Sequence, residues 1–319
     1  MDHPVVASLL PVILIIAVGL LAGRRGWVRG SAVRDLSNLV FLVLTPALLF
    51  RTMSKVHPQD LDFAPVGAYF IGVGLVFAGT LAVCGFNRRG AVLSLAATFS
   101  NTVMIGIPLV SLAFGERGLV TLFTLYTVHT VLLLTVATLV LELAMLREAR
   151  QAGGDGARPG LARTVLIAVR NAVLHPVPLP IIAGMAFAQT GLALPRVIDE
   201  PLRLIGGALG PMALMLVGLS LAQTHLASQV RGALGLVVAK NIVMPALVAG
   251  AGLMLGVTGL PLVVVVVVAG LPAGGNALLF SQRYQVAEAT VTATVGLATL
   301  SALATVPVVM ALASYISGR

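Results

Sequence analysis

The sequence predicts an all-α membrane protein of ten transmembrane helices, arranged as two inverted five-helix repeats whose fourth and ninth helices are broken. Three observations predict it. The 319 residues are 58% hydrophobic and only 10% charged, with a mean hydropathy of +1.05. A soluble domain carries about 25% charged residues, so too little polar surface exists here to face water. Apolar runs of the ~20 residues needed to cross the hydrocarbon core recur along the chain. Two of these runs are interrupted mid-span by the same residue types. Residues 98–113 hold Asn101, Gly106 and Pro108, and residues 262–280 hold Gly270, Pro272, Gly274, Gly275 and Asn276.

In chain order the expected spans are 5–23, 33–53, 63–85, 90–113, 118–146, 168–191, 198–223, 229–257, 260–282 and 287–316. A secretory leader is basic before its apolar core. Here Met1, Asp2 and His3 precede the core, and Arg24, Arg25 and Arg29 follow it, which is the polarity of a first span with its N-terminus outside. The polar stretch 147–163 divides the spans five and five. It separates a first repeat over 1–146 from a second over 164–319 and is expected to be a cytoplasmic connecting loop. An odd number of spans per half reverses the second half, so any repeat must be inverted. Pro46 in span two is echoed by Pro211 in span seven, and Pro108 in span four by Pro272 in span nine.

The basic residues agree with this topology. Arg24, Arg25, Arg29, Arg34, Arg88, Arg89, Arg147, Arg150, Arg158, Arg163, Arg170, Arg231 and Arg283 fall on the inner side. The outer side holds Arg51, Lys55, Arg117, Arg196, Arg203 and Arg319. Basic bias marks the cytoplasmic side, so both termini are expected outside. The formal net charge of +9 is thereby assigned to orientation. Nucleic acid is not an expected partner, because no basic face with interleaved aromatics occurs.

Other classes are excluded by what the chain lacks. One cysteine, Cys84, rules out an intrachain disulfide framework or a cysteine-ligated metal cluster. There is no HExxH, no paired intramembrane aspartate, no GxSxG elbow and no Walker A lysine motif. Neither an enzyme nor a nucleotide-driven pump is expected, and no cofactor or metal is called for. The acidic residues lie in connections or near span ends, which gives a carboxylate proton relay little support.

In a bilayer, loosened backbone survives only where it is buried in protein or lines a wet cavity. Broken spans at corresponding places in two halves therefore point to a transporter's binding site. Ser100, Asn101 and Thr102 precede the Gly106–Pro108 break. If the helix resumes near Pro108, its first free amides carry roughly half a positive charge and attract an anion. The same holds after Pro272, where Gly274 and Gly275 allow close backbone approach and Asn276 adds a side-chain amide. The candidate substrate-binding residues are accordingly Asn101, Gly106, Pro108, Pro272, Gly274, Gly275 and Asn276.

Two further side chains stand out. Lys240 lies well inside span eight, where a charge is costly. It attracts an anionic substrate, pins the broken helices by donating to freed carbonyls, or snorkels to the interface. His129 lies mid-way along span five beside Tyr126 and Thr127. It is either a proton-coupling group that titrates near neutral pH or a hydrogen-bonded packing residue. His175, near a cytoplasmic end, carries less weight.

At these residues the chain resembles the auxin efflux carrier family, which includes plant auxin exporters and bacterial permeases of small organic acids. SNTVMIGIPL (100–109) is similar to the family's span-four signature, and GLPAGGNALLFSQRY (270–284) to its span-nine crossover. FLVLTPALLF (41–50) and LGPMALMLVGLSL (209–221) resemble its spans two and seven. The likeness runs the full length, in order. It implies a fold related to bile-acid and sodium–proton transporters. Spans one, two, six and seven would form a scaffold, and spans three to five and eight to ten a transport unit that slides as an elevator. Substrate would sit where spans four and nine cross, with Asn101 and Pro108 matching one crossover and Pro272 the other. Lys240 resembles a lysine frequent before the proline of span eight in bacterial members. Asn276 stands where plant carriers are usually apolar, and the long central loop of many of them is missing, which argues against auxin itself.

The expected function is secondary transport of a small organic anion, a mono- or dicarboxylate, across a bacterial inner membrane. The implied partners are that anion and the lipid bilayer, and a homodimer through the scaffold helices is compatible with the resemblance. Two other readings stay open at this point: a sodium-coupled symporter of the bile-acid type, and a membrane sensor that binds its ligand without moving it.

Overall fold

The computed structural model describes residues 4–57, 59, 61–151, 178–223 and 229–318. Among these the regular elements are all helical. Arg158, Arg163, Arg170, His175 and the first part of the expected span 168–191 lie outside the described residues.

The helices run as follows. Helix α1 (Pro4–Arg24) ends in a turn closed by Gly26 at φ +70, a left-handed position that suits a residue without a Cβ. Helices α2 (Gly30–Leu39) and α3 (Thr45–Met53) form one continuous stretch joined by a π turn, Val40–Leu44. Helix α4 spans Ala64–Cys84, and α5 (Arg88–Thr98) is capped by Asn87, whose side chain accepts from the Gly90 amide at 2.8 Å. After a break and a second π turn, Thr102–Gly106, comes α6 (Ile107–Gln151), bent sharply at Gly115 with φ 62 and ψ −154. The remaining helices are α7 (Pro178–Ala188), α8 (Arg196–Gly207), α9 (Leu209–Gln223) and α10 (Val230–Val238). A third π turn, Ala239–Val243, leads into α11 (Met244–Met254). Then follow α12 (Gly259–Gly270), α13 (Gly275–Tyr284) and α14 (Glu288–Ile316). Among the described residues six helical stretches are long and apolar enough to cross a membrane, and α7 and α12 are shorter apolar helices. This is an integral membrane protein.

Two expected spans are organised differently from a plain rod. The stretch 198–223 is two helices meeting at Ala208, just before Gly210 and Pro211. Spans four and five share α6, and the corner at Gly115 replaces a connecting loop.

The π turns have one cause. Each lies immediately before a proline that occupies the first turn of the next helix: Pro46, Pro108 and Pro245. A proline cannot donate to the carbonyl four residues back, and its ring collides with that carbonyl. Those carbonyls belong to Leu42, Met104 and Asn241, each at the centre of its π turn. The chain responds by widening for one turn. The residue before each proline donates to the carbonyl five back: Thr45 to Val40, Ile107 to Thr102 and Met244 to Ala239.

Much of the helix packing falls into two groups, and α6 packs against helices of both. In one, α1 lies along α9 and α3 packs on α7 and α8. In the other, α4 packs on α5 and α11, while α14 packs on α10, α12 and α13. Lipid offers apolar surface as good as any protein core, so such contacts depend on close approach of small residues. At the α1–α9 seam a Cβ built on Gly19 would sit 2.1 Å from the Met215 carbonyl oxygen, and one on Gly218 2.0 Å from that of Ile16. At the α4–α11 seam a Cβ on Gly72 would meet Val248 Cγ2 at 2.5 Å. Away from the crossing, Arg51 of α3 donates to both carboxylate oxygens of Asp199 in α8, at 2.7 and 3.1 Å, and lies 3.6 Å from Glu116 beside the Gly115 corner.

Because backbone, not a flexible side chain, occupies the space beside Gly218, Gly218→Ala is expected to force α1 and α9 apart. Over-packing of this kind costs about 1–3 kcal/mol. The midpoint of thermal unfolding in detergent should fall by several degrees, whereas Gly79→Ala, with nothing within 4 Å, should not lower it.

Candidate functional site: a crossing of two broken helices

The site is built where α5 and α12 stop. Helix α5 ends at Thr98, and Phe99 turns to extended backbone with φ −77 and ψ 111. Helix α12 ends at Gly270. Leu271 is extended, with φ −62 and ψ 152, because the residue before a proline is pushed out of the helical region. The two extended pieces run antiparallel and pair through a bridge between Ser100 and Ala273. The Asn101 amide donates to the Pro272 carbonyl at 2.8 Å, and the Gly274 amide donates to that of Phe99 at 2.8 Å. Proline serves here because only its carbonyl is needed. A Cβ at residue 274 would lie 2.9 Å from Phe99 Cδ1 and 3.0 Å from the Ser100 carbonyl oxygen, so glycine sets the closeness of the crossing.

The carbonyls left open at the end of α12 are taken by side chains. The Ser100 hydroxyl donates to the Val268 carbonyl at 2.9 Å. With that proton committed, the Tyr69 hydroxyl donates to Ser100 Oγ at 3.2 Å. Lys240 is fully buried, and its Nζ donates to the carbonyls of Ala269 and Leu271, both at 2.6 Å. The ammonium thus sits on the partial negative charge of a helix C-terminus. In the structure both of these donated bonds go to carbonyls freed at the end of α12. Neighbouring Asn241 ties the same turn to α14, donating to the Ala298 carbonyl at 2.9 Å and the Ser301 hydroxyl at 2.8 Å.

The chain resumes its helical path on both sides of the crossing, and both starts face one cavity of about 570 Å³. On one side the wall is Asn101 and the π turn from Thr102 to Met104. On the other it is Gly274, Gly275 and Asn276. The first span thus resumes at Thr102 and not near Pro108. The Asn101 carbonyl accepts from the amides of Ile105 and Gly106, which closes the first wide turn there. No side chain caps either start. The Thr102 amide donates to the Ser100 carbonyl at 2.8 Å and the Ala277 amide to that of Gly274 at 3.2 Å, which leaves the amides of Val103, Met104, Gly275 and Asn276 without a partner inside their own helix. The side-chain amides of Asn101 and Asn276 make no hydrogen bond among the described residues. Among the described residues no cationic side chain lines the cavity.

Of the seven residues proposed from sequence, Asn101, Gly274, Gly275 and Asn276 are on the cavity wall. Gly106, Pro108 and Pro272 are outside it. Gly106 lets Leu271 approach, since a Cβ there would meet Leu271 Cδ1 at 2.8 Å. Pro108 shapes the π turn, and Pro272 accepts the bridge hydrogen bond. Ser37, Asn38 and Phe41 of the first group of helices, together with Tyr126, also line the cavity and were not singled out. A polar pair near a span end is ordinary in sequence, and nothing local says that it faces a crossing from another part of the chain. His129 does not line the cavity. Its ring packs on Phe99, 4.7 Å between centroids, behind the crossing.

A family model described as membrane transport protein matches residues 4–310. The chain belongs to this family, that of the auxin efflux carriers. Its relatives within the membrane transport proteins include the "Putative malonate transporter" of Rhizobium meliloti strain 1021, 27% identical over 93% of this chain and 92% of that one. An "Uncharacterized transporter" of Methanothermobacter thermautotrophicus is 24% identical, over 94% of this chain and 95% of its own length. The "Uncharacterized transporter YfdV" of Escherichia coli K12 is 23% identical, over 95% of both. The family and these relatives are transporters, not enzymes.

Removing the Lys240 ammonium leaves two buried carbonyls unpaired, each costing about 1–3 kcal/mol. Lys240→Met is therefore expected to lower the thermal midpoint of this family member more than Asn38→Ala on the cavity wall does. Differential scanning fluorimetry of the two purified variants measures this.

Proposed function

We propose that the chain is a secondary carrier for a small organic anion, a mono- or dicarboxylate, working by elevator-type alternating access. The observation that carries this reading is the pair of uncapped helix starts, with Asn101 and Asn276, facing one cavity. Such starts carry partial positive charge and free donors, which suits a carboxylate. Neutral donors also bind without the tight hold of a full cation, and a carrier must release what it binds. Lys240 contributes by keeping the frame of the crossing together and has its donors aimed at carbonyls.

Ten spans in two inverted repeats, 1–146 and 164–319 joined by the loop 147–163, account best for two breaks that meet antiparallel. Spans two and seven also depart from a regular helix just before Pro46 and Pro211. The segregation of close packing into two groups supports a scaffold and a unit that moves against it, with the cavity lined from both. The distribution of arginines favours a bacterial inner membrane with both termini outside. Malonate is the first substrate to test, because a relative bears its name and its two carboxylates match the two helix starts in number.

In proteoliposomes, malonate counterflow is expected from the wild-type protein. Asn101→Leu and Asn276→Leu each remove a hydrogen bond to a charged group, worth about 1.5–3 kcal/mol. Each should therefore slow counterflow by roughly ten- to a hundredfold. Wild-type rates from both variants would refute the site.

A further inference from the structure

The anion site leaves one buried titratable group unused. His129, mid-way along α6, is 1% exposed, and neither of its ring nitrogens has a hydrogen-bond partner among the described residues. Three aromatic rings enclose it. Phe99 from the end of α5 lies 4.7 Å away, Tyr69 from α4 5.6 Å and Tyr126 from α6 itself 5.9 Å, centroid to centroid. Phe99 and Tyr126 also line the cavity, so the imidazole is one side chain removed from the place assigned to the anion.

A packing role explains this poorly. A phenylalanine would fill the same box without burying two unpaired polar atoms, each a loss of about 1–3 kcal/mol. What an imidazole adds is the capacity to take a proton. Burial away from water disfavours a charged imidazole, and aromatic rings within about 6 Å of a cation offset part of that cost. The groups that face it are the phenols of Tyr69 and Tyr126, the Phe99 ring and, through space from the π turn after α10, the Lys240 ammonium. That ammonium opposes a second positive charge nearby. A carboxylate in the cavity offsets it. Occupancy of the cavity and protonation of His129 therefore favour one another, and such coupling is reciprocal.

We propose that His129 is the proton-binding site of this carrier, so that a carboxylate and a proton are taken up and released together. The proton comes from water on the loading side, adds to a ring nitrogen lone pair and leaves to water on the other side. No covalent bond of the substrate changes. Malonate as a dianion would then move with a net charge of −1. This proposal rests on the anion-carrier reading.

The test uses full-length protein in proteoliposomes containing the pH dye pyranine, with malonate as substrate and the membrane potential clamped by valinomycin and potassium. With one proton per malonate, a gradient of one pH unit should change the accumulation ratio about tenfold. Pyranine should report proton entry with malonate. His129→Phe, which keeps the ring volume, and His129→Gln should bring the ratio to about one, reducing proton-driven accumulation far more than counterflow exchange. A wild-type protein that exchanges malonate without moving protons overturns the proposal and leaves the anion carrier standing. So does accumulation that persists tenfold in either variant. A wild-type protein that exchanges neither malonate nor any other small carboxylate overturns the carrier reading, and this proposal with it.

Discussion

The rest of the structure depends on one constraint: backbone polar groups inside a bilayer have no water to turn to. Cutting two helices in mid-membrane frees donors and acceptors at four ends, and the protein treats the two kinds differently. The acceptors at the end of α12 are satisfied internally, by Ser100 at Val268 and by Lys240 at Ala269 and Leu271. The extended pieces satisfy one another through the amides of Asn101 and Gly274. The two helix starts have no side-chain cap, and residues of both line the cavity. Amides without a partner at a helix start carry partial positive charge.

This division explains why a buried lysine stands near the crossing without lining the cavity. A cation in direct contact with a carboxylate in a dry interior would bind it strongly and release it slowly. Spent on two carbonyls, the same charge neutralises the C-terminal end of α12 and fixes its distance from α10 and α11. The glycines have the same kind of role. Gly274 permits the crossing and Gly106 admits Leu271, so a residue type that weakens helices also sets how close the broken ends lie.

The packing is closest at a few glycines. The seam between α1 and α9 is set by backbone contact at Gly19 and Gly218, and the seam between α4 and α11 by Gly72, so each group of helices is internally close-packed. The cavity is lined from both groups, and Arg51 makes a close pair with Asp199 in its own group and a longer contact to exposed Glu116 of α6. Ion pairs with an exposed partner contribute little, ~0–1 kcal/mol.

The sequence by itself determined the membrane class, the two interrupted segments and the anomaly of Lys240, because composition, span length and intramembrane charge are local properties of a chain. Membership of a transporter family was legible in the same way, from SNTVMIGIPL and GLPAGGNALLFSQRY. Only the tertiary structure decided where the first break ends. Gly106 and Pro108 weaken a helix, yet the chain resumes at Thr102, because the competing partner for Asn101 is the carbonyl of Pro272, far along the sequence. The same is true of Lys240, whose acceptors sit on α12, and of Asn38, which reaches the cavity from the other group of helices. His129 gains its meaning only there too, since the rings that enclose it come from α4, α5 and α6. A sequence states what each residue is able to pair with, and the fold alone states what arrives.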